Sequence, residues 1–321
     1  MDIIEQAAKR LAELRRAGVV EGEGSSPVAE SKQAAVVTPQ MEPPAQVEAR
    51  PQASAEVQAS PAPASRRIEL DMDRLTARGI VTPRVARSNL ADELRVIKRP
   101  LLRNVAGKGT TPVKNANLIM ITSAVPGEGK SFTAANLAMS IATELDHTVL
   151  LVDADVARPS LPEIFGLPQG KGLLDVLIEP ELDLRQVMLR TNVEKLSILP
   201  SGLPHPHATE LLASEAMARM LEELASRYSD RIIIFDSPPL LVTTEARALA
   251  AHMGQVVLVV RAERTTHAEV RHALSTIEQA PVKMLMLNQA ADPSAKGYGY
   301  GYGYGYSAYG AEDGSDRSET R

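Results

Sequence analysis

Ala124-Val-Pro-Gly-Glu-Gly-Lys-Ser131 stands directly after the apolar run Leu118 to Thr122 and directly before a segment of helical period opening at Phe132. A strand, a glycine-rich turn and a helix start, in that order, read as a phosphate-binding loop. Consecutive backbone N–H groups converge on phosphate oxygens where side chains are small, and the helix start adds a dipole that favours negative charge. Gly127 and Gly129 supply that freedom, and Pro126, Glu128 and Phe132 complete the expected nucleotide-binding stretch. Lys130 is expected to reach the β- and γ-phosphates, and the Ser131 hydroxyl to ligate Mg2+. The general pattern opens with Gly where this chain has Ala124.

Working outward, Val149-Leu-Leu-Val-Asp153-Ala-Asp155 ends a second apolar run with two carboxylates two residues apart, a spacing that aims both toward one cleft at a strand end. In open α/β sheets ligands sit outside the carboxyl ends of the strands. Both aspartates suit Mg2+ waters or the removal of a proton from an attacking hydroxyl, and the sequence admits either division of these roles. Ile232-Ile-Ile-Phe-Asp236 is a third apolar run ending in Asp, expected to support the metal shell, and Ser237-Pro-Pro239 stops it. Lys130, Asp153, Asp155 and Asp236 are thus the candidate catalytic set, with Ser131, Asp155 and Asp236 as metal ligands and ATP with Mg2+ as the cofactors.

Apolar runs alternate with helical periods from Leu118 to Leu287, the pattern of an α/β protein with a doubly wound, mostly parallel sheet of the P-loop NTPase type. Strands are expected at 118–122, 148–152, 196–199, 232–235, 256–260 and 283–287, apolar on both faces and so covered by helices on both sides. Helices are expected at 132–145, 209–228 and 266–279. The organisation reads as an amphipathic helix in 1–20, a Pro/Ala-rich disordered linker at 21–65, a basic lead-in with a helix at 66–115, the P-loop domain at 116–290 and a Gly/Tyr-rich tail at 291–321. Ile3, Ala7, Leu11 and Leu14 give the first helix its face, either for packing on its own domain or for docking. Arg66, Arg67, Arg74, Arg78, Arg84 and Arg87 make the lead-in basic, to wrap the domain or to lie solvated.

The 321 residues carry 35 Lys and Arg against 40 Asp and Glu, a net charge of -5, which gives nucleic-acid binding no overall basic excess. Cysteine is absent, which excludes disulfides, a thiolate nucleophile and Cys-ligated metal centres. No apolar run approaches the roughly 20 residues of a membrane span, and no secretory signal is read in the first residues, so the expectation is a cytoplasmic chain brought to the inner face of the plasma membrane by a partner. Six of the seven tyrosines stand between Tyr298 and Tyr309, mostly alternating with Gly.

The three motifs together resemble the bacterial tyrosine kinases of polysaccharide export, the BY-kinases, over 92–287 and the tyrosine-rich tail. The subset at exosortase and extracellular polysaccharide loci is the nearest in its short N-terminal helix and Pro-rich tether. In this family 124–131, 149–155 and 232–236 match the Walker A, A′ and B motifs. An Arg commonly follows the A′ Asp pair by two positions, whereas this chain has Ala157 there and Arg158 next. The family's Glu-x-x-Arg-x-x-Arg assembly helix is matched by Asp92-x-x-Arg95-x-x-Lys98. The resemblance implies a tyrosine autokinase regulating exopolysaccharide synthesis, chain length or export. Its acceptors are Tyr298, Tyr300, Tyr302, Tyr304, Tyr306 and Tyr309 of a neighbouring copy in a homo-oligomer such as a ring. The implied partners are a membrane polysaccharide copolymerase of the chain-length-determinant type and a protein-tyrosine phosphatase.

Two other classes share these motifs. A ParA- or MinD-like ATPase generally carries a Lys early in the phosphate loop, where this chain has Val125, and a nucleotide-dependent adaptor of an export complex would transfer no phosphate. His205 and His207 read as loop residues beside a Pro-rich segment. No His-Arg-Asp or Asp-Phe-Gly stretch is present, which excludes the eukaryotic kinase type.

Overall fold

The structure, a computed structural model, describes residues 65–84, 88–109, 111–228 and 230–290, all within a unit spanning 59–321. The expected helix of Ile3 to Ala17, the linker and the tyrosine tail lie outside the described residues. Among the described residues eight strands form one sheet: β1 (Arg66–Arg67), β2 (Leu118–Ser123), β3 (Thr148–Asp153), β4 (Leu189–Arg190), β5 (Leu196–Leu199), β6 (Arg231–Asp236), β7 (Gln255–Arg261) and β8 (Val282–Asn288). Their order is β1-β4-β5-β3-β6-β2-β7-β8, and β4 with β5 is the antiparallel pair among parallel neighbours. The six strands expected from apolar runs all occur, each within one residue at either end.

Among the described residues ten helices flank the sheet: α1 (Met72–Ala77), α2 (Asn89–Val105), α3 (Lys130–Ala142), α4 (Leu161–Phe165), α5 (Leu173–Ile178), α6 (Leu184–Val187), α7 (Ala208–Leu212), α8 (Glu215–Arg227), α9 (Glu245–Ala250) and α10 (His267–Ser275). The single helix expected over 209–228 is two. Ser214 ends α7 by donating to the Leu211 carbonyl at 2.7 Å, and its hydroxyl then accepts the Met217 N–H to start α8. The Thr266 hydroxyl and Glu269 carboxylate cap each other's N–H groups and set the start of α10.

Strand periodicity divides the core between two faces. Ile119, Ile121, Val149, Leu151, Ile232 and Ile234 pack beneath α2 and α3, while Leu118, Met120, Leu150, Val152, Ile233 and Phe235 pack beneath α8, α9 and α10. Such double burial explains the unbroken aliphatic runs. β8 departs from it, because Met284 and Met286 turn inward while Leu285 and Leu287 are exposed on a strand at the sheet's edge.

Residues of the basic lead-in join the same core. β1 pairs with β4, Leu70 exchanges two hydrogen bonds with the Asn192 amide, and Leu75 and Leu101 are buried. Arg74 and Arg78 wrap onto the Glu163 carbonyl at 3.0 and 2.9 Å, whereas Arg66 and Arg67 are exposed. No helix among the described residues is long and apolar enough to cross a membrane.

Candidate active site

The carboxyl ends of β2, β6 and β3 are neighbours, so the three motifs meet although more than 100 residues separate the first from the last. Asp236 registers with Ile121 on one side and with Asp153 on the other. The loop after β2 turns through Gly127 (φ 84°) and Gly129 (φ 95°), left-handed conformations that glycine adopts without strain. Gly129 is the N-cap of α3 and makes no side-chain cap, so the first N–H groups of a 13-residue helix face the cleft.

Lys130 crosses to Asp155, with Nζ 2.5 Å from Oδ2 and 3.4 Å from the Ser131 hydroxyl. Asp155 is buried and accepts the Arg158 N–H at 3.2 Å through Oδ1, which closes the turn after β3. Asp153 accepts the Leu161 N–H at 3.2 Å through Oδ2, and its Oδ1 has no partner. Neither oxygen of Asp236 makes a hydrogen bond of ordinary geometry, although the Ser131 hydroxyl lies near enough to lower its proton affinity. Three of the four buried side-chain polar atoms left unpaired among the described residues thus belong to these two aspartates, the fourth being Thr133 Oγ1. Such atoms cost about 1 to 3 kcal/mol each, so their concentration at a helix start marks a place built for something else.

Burial pushes the Asp153 carboxyl well above the usual range, and repulsion from Asp236 adds to it, against the Leu161 N–H. Burial likewise raises Asp236, to about 6, although the Lys130 charge pulls it back. A cation among these oxygens would relieve both effects. The donor set of carboxylates and a serine hydroxyl suits a hard cation such as Mg2+.

Glu128 takes a different part from the one its place in the loop implies. Its side chain is turned inward and buried, accepting the Val125 N–H at 2.7 Å through one oxygen. Through the other it accepts the Arg261 N–H at 3.2 Å and the Thr265 hydroxyl. Asn288, ending β8, donates to the Glu128 carbonyl at 2.8 Å. The loop is therefore clamped by the ends of β7 and β8, from residues 133 to 160 positions away. Nothing in local sequence marks Arg261, Thr265 or Asn288 for this. Pro126 is exposed on the loop, and Phe132, half-buried, packs onto the core beside Gly79 of the lead-in. Thr122 and Ser237 donate to the Pro238 and Ile121 carbonyls at 2.8 and 2.9 Å and so bind the exit of β6 to β2.

Other expected residues fall outside this cleft. Ala157 and Arg158 are exposed on the turn. On α2, Asp92 and Arg95 pair with each other, while Lys98 is buried and held by the Ser140 carbonyl at 2.8 Å and Glu144 at 2.5 Å. Lys98 thus tethers α2 to α3 within the chain. The His205 and His207 rings lie 5.8 Å apart in a loop, and they join no third metal-ligating side chain among the described residues. The acceptor tyrosines, 298–309, lie outside the described residues.

A family model described as AAA domain matches residues 116–289. The putative tyrosine-protein kinase EpsB of Ralstonia nicotianae is 37% identical over 183 residues, which are 57% of this chain and 24% of that protein. This chain therefore spans about a quarter of that relative's length. Tyrosine-protein kinase YwqD of Bacillus subtilis is 36% identical over 171 residues, 52% of this chain and 70% of that one. Among solved structures, the chimerical protein CapA2B2 superposes with a TM-score of 0.54 at 29% identity, covering 70% of this chain and 93% of its own.

Proposed function

Since the chain belongs to the bacterial tyrosine-protein kinase family, with an AAA domain at 116–289, we propose that it is an ATP-dependent tyrosine autokinase that regulates exopolysaccharide synthesis, chain length or export. The supporting observation is the meeting of Lys130, Ser131, Asp153, Asp155 and Asp236 in one buried cleft at the start of α3.

In this reading the amides from Gly127 to Ser131 and the Lys130 ammonium bind the triphosphate. Lys130 exchanges its bond with Asp155 for the phosphates, which frees Asp155. Ser131, Asp155 and Asp236 would hold Mg2+, which when bound would neutralise phosphate charge. A tail phenol of a neighbouring copy, from Tyr298 to Tyr309, attacks the γ-phosphorus. The bond to the β,γ-bridging oxygen breaks, ADP leaves, and the phenolic proton passes to Asp153. The raised proton affinity of Asp153 suits it to that transfer. Each phosphotyrosine adds roughly -1.5 to -2 charge, so six place on the order of -10 on one tail and oppose assembly by repulsion. The proposed partners are a membrane copolymerase whose cytoplasmic segment activates the kinase, and a phosphatase that resets it.

Intact mass and phosphosite mapping after incubation with Mg-ATP test the proposal. Several phosphates confined to Tyr298 through Tyr309, absent from Lys130→Met, are expected. ATP hydrolysis without phosphotyrosine, with the partner segment present, would point to a ParA-like switch instead.

A further inference from the structure

A groove of about 410 Å³ opens at the amino ends of β3, β5 and β6, the end of the sheet away from the nucleotide cleft, and includes Arg67, Arg190, Ser197 and Arg231 in its lining. Arg67 of β1 and Arg190 of β4 are register partners in a parallel pair, so their side chains share one face. Across β4, Arg190 registers with Ser197. Two like charges side by side destabilise a sheet. Yet neither arginine has an ion-pair partner among the described residues, and Glu194 is the one acid lining the groove, beside Arg67, Arg190, Lys195 and Arg231. This concentration of cations stands in a chain of net charge -5. Arg231 also stacks on the Tyr228 ring, 4.9 Å from its centroid, so the groove's rim already joins a guanidinium to an aromatic face.

We propose that this groove is a phosphotyrosine site that receives the phosphorylated Gly/Tyr segment of the chain's own tail. Guanidinium groups in pairs match the planar, multidentate recognition of a phosphate monoester. The chain carries its own candidate ligand in the tyrosines from Tyr298 to Tyr309. The chain's own segment is the occupant, because it is tethered to β8 at the opposite edge of the sheet and is long enough to return to the groove, which gives it a high effective concentration there. Seven strand spacings are about 34 Å, and one strand length adds about 20 Å at right angles. The diagonal is about 40 Å, and the stretch from 291 to 306 spans up to about 55 Å, so Tyr304 and Tyr306 of the same chain reach the groove. The site would take the product of tail phosphorylation out of the cleft while offsetting part of its charge. It deepens the autokinase reading and rests on it for the origin of the phosphate.

The test uses the full chain carrying Lys130→Met, so that no self-made phosphate competes, and a labelled synthetic peptide of residues 296–310 phosphorylated at Tyr304 and Tyr306. Anisotropy titration should give affinity on the order of ten-fold tighter than for the unphosphorylated peptide. Arg67→Gln with Arg190→Gln should remove that preference, and the double Lys variant, which keeps charge without the fork, should retain part of it; unchanged circular dichroism verifies the fold. Equal affinity for both peptides, or a preference untouched by the Gln pair, overturns the proposal. Retention on phosphatidylglycerol vesicles that needs the same arginines, without phosphopeptide preference, overturns it in favour of a lipid surface. Because the peptide's phosphate is synthetic, a chain that fails to autophosphorylate in the parallel mapping experiment refutes the kinase reading without deciding this one.

Discussion

Burial pushes the Asp236 carboxyl up to about 6, from 3.8 when unconstrained, although the Lys130 charge and the Ser131 hydroxyl pull it back. A raised carboxyl pKa means that the fold binds this proton more tightly than the unfolded chain does. The stability so gained is complete below the unfolded value and lost as pH rises through 6. At pH 7.5, without nucleotide or Mg2+, the charged group costs up to about 3 kcal/mol. Asp236→Asn should therefore raise the melting temperature at pH 7.5, change it little at pH 4, and still lose phosphotransfer. An equal gain at both pH values would contradict this account. Gly129→Ala should weaken nucleotide binding, because its φ of 95° strains an L-residue and the added carbon collides with the Asn288 amide. Calorimetric titration with ATP measures the effect. The glycines were legible in sequence as a loop signature, but the Asn288 contact was not, since it joins positions 160 residues apart through the Glu128 carbonyl.

Glu128 links one element to another. Its carboxylate accepts from Val125 within the phosphate loop and from Arg261 and Thr265 at the end of β7. Glu128→Ala leaves the Val125 N–H without its acceptor, at a cost of about 1 to 3 kcal/mol, while the Arg261 N–H keeps the Thr265 hydroxyl at 3.2 Å. Denaturant unfolding should report this loss, and ATP affinity should fall because the loop is less ordered before binding. Undiminished affinity would show that the clamp is dispensable for the nucleotide. The division of 209–228 into α7 and α8 is also an element-scale effect: the apolar period continues across Ser214, but its hydroxyl competes for backbone partners and restarts the helix. Composition favoured one long helix, because a cap and a mid-helix serine look alike until the backbone turns.

On the scale of the molecule, the lead-in belongs to the fold that carries the site. Leu75 is buried at 1% exposure in the cluster that holds Ala134, Leu137 and Ala138 of α3, the helix opened by the phosphate loop. Leu75→Ala should destabilise the protein by about 2 to 5 kcal/mol and lower its single thermal transition, measured by calorimetry. An unchanged melting point would mean that α1 opens independently of the sheet. By itself the sequence determined six strands, the order of the three phosphate and carboxylate motifs and the type of sheet, because each rests on residues within about ten positions of one another. Only the tertiary structure decided that β6 inserts between β2 and β3 and so brings Asp236 to the cleft that Lys130 and Asp155 share. It also decided that β1 joins β4 to place Arg67 beside Arg190, that Lys98 is spent on α3, and that β8 leaves one face bare. Strand order and edge position depend on which distant segments pair, and the burial of Asp236 depends on everything packed around it. No local pattern of side chains carries that information.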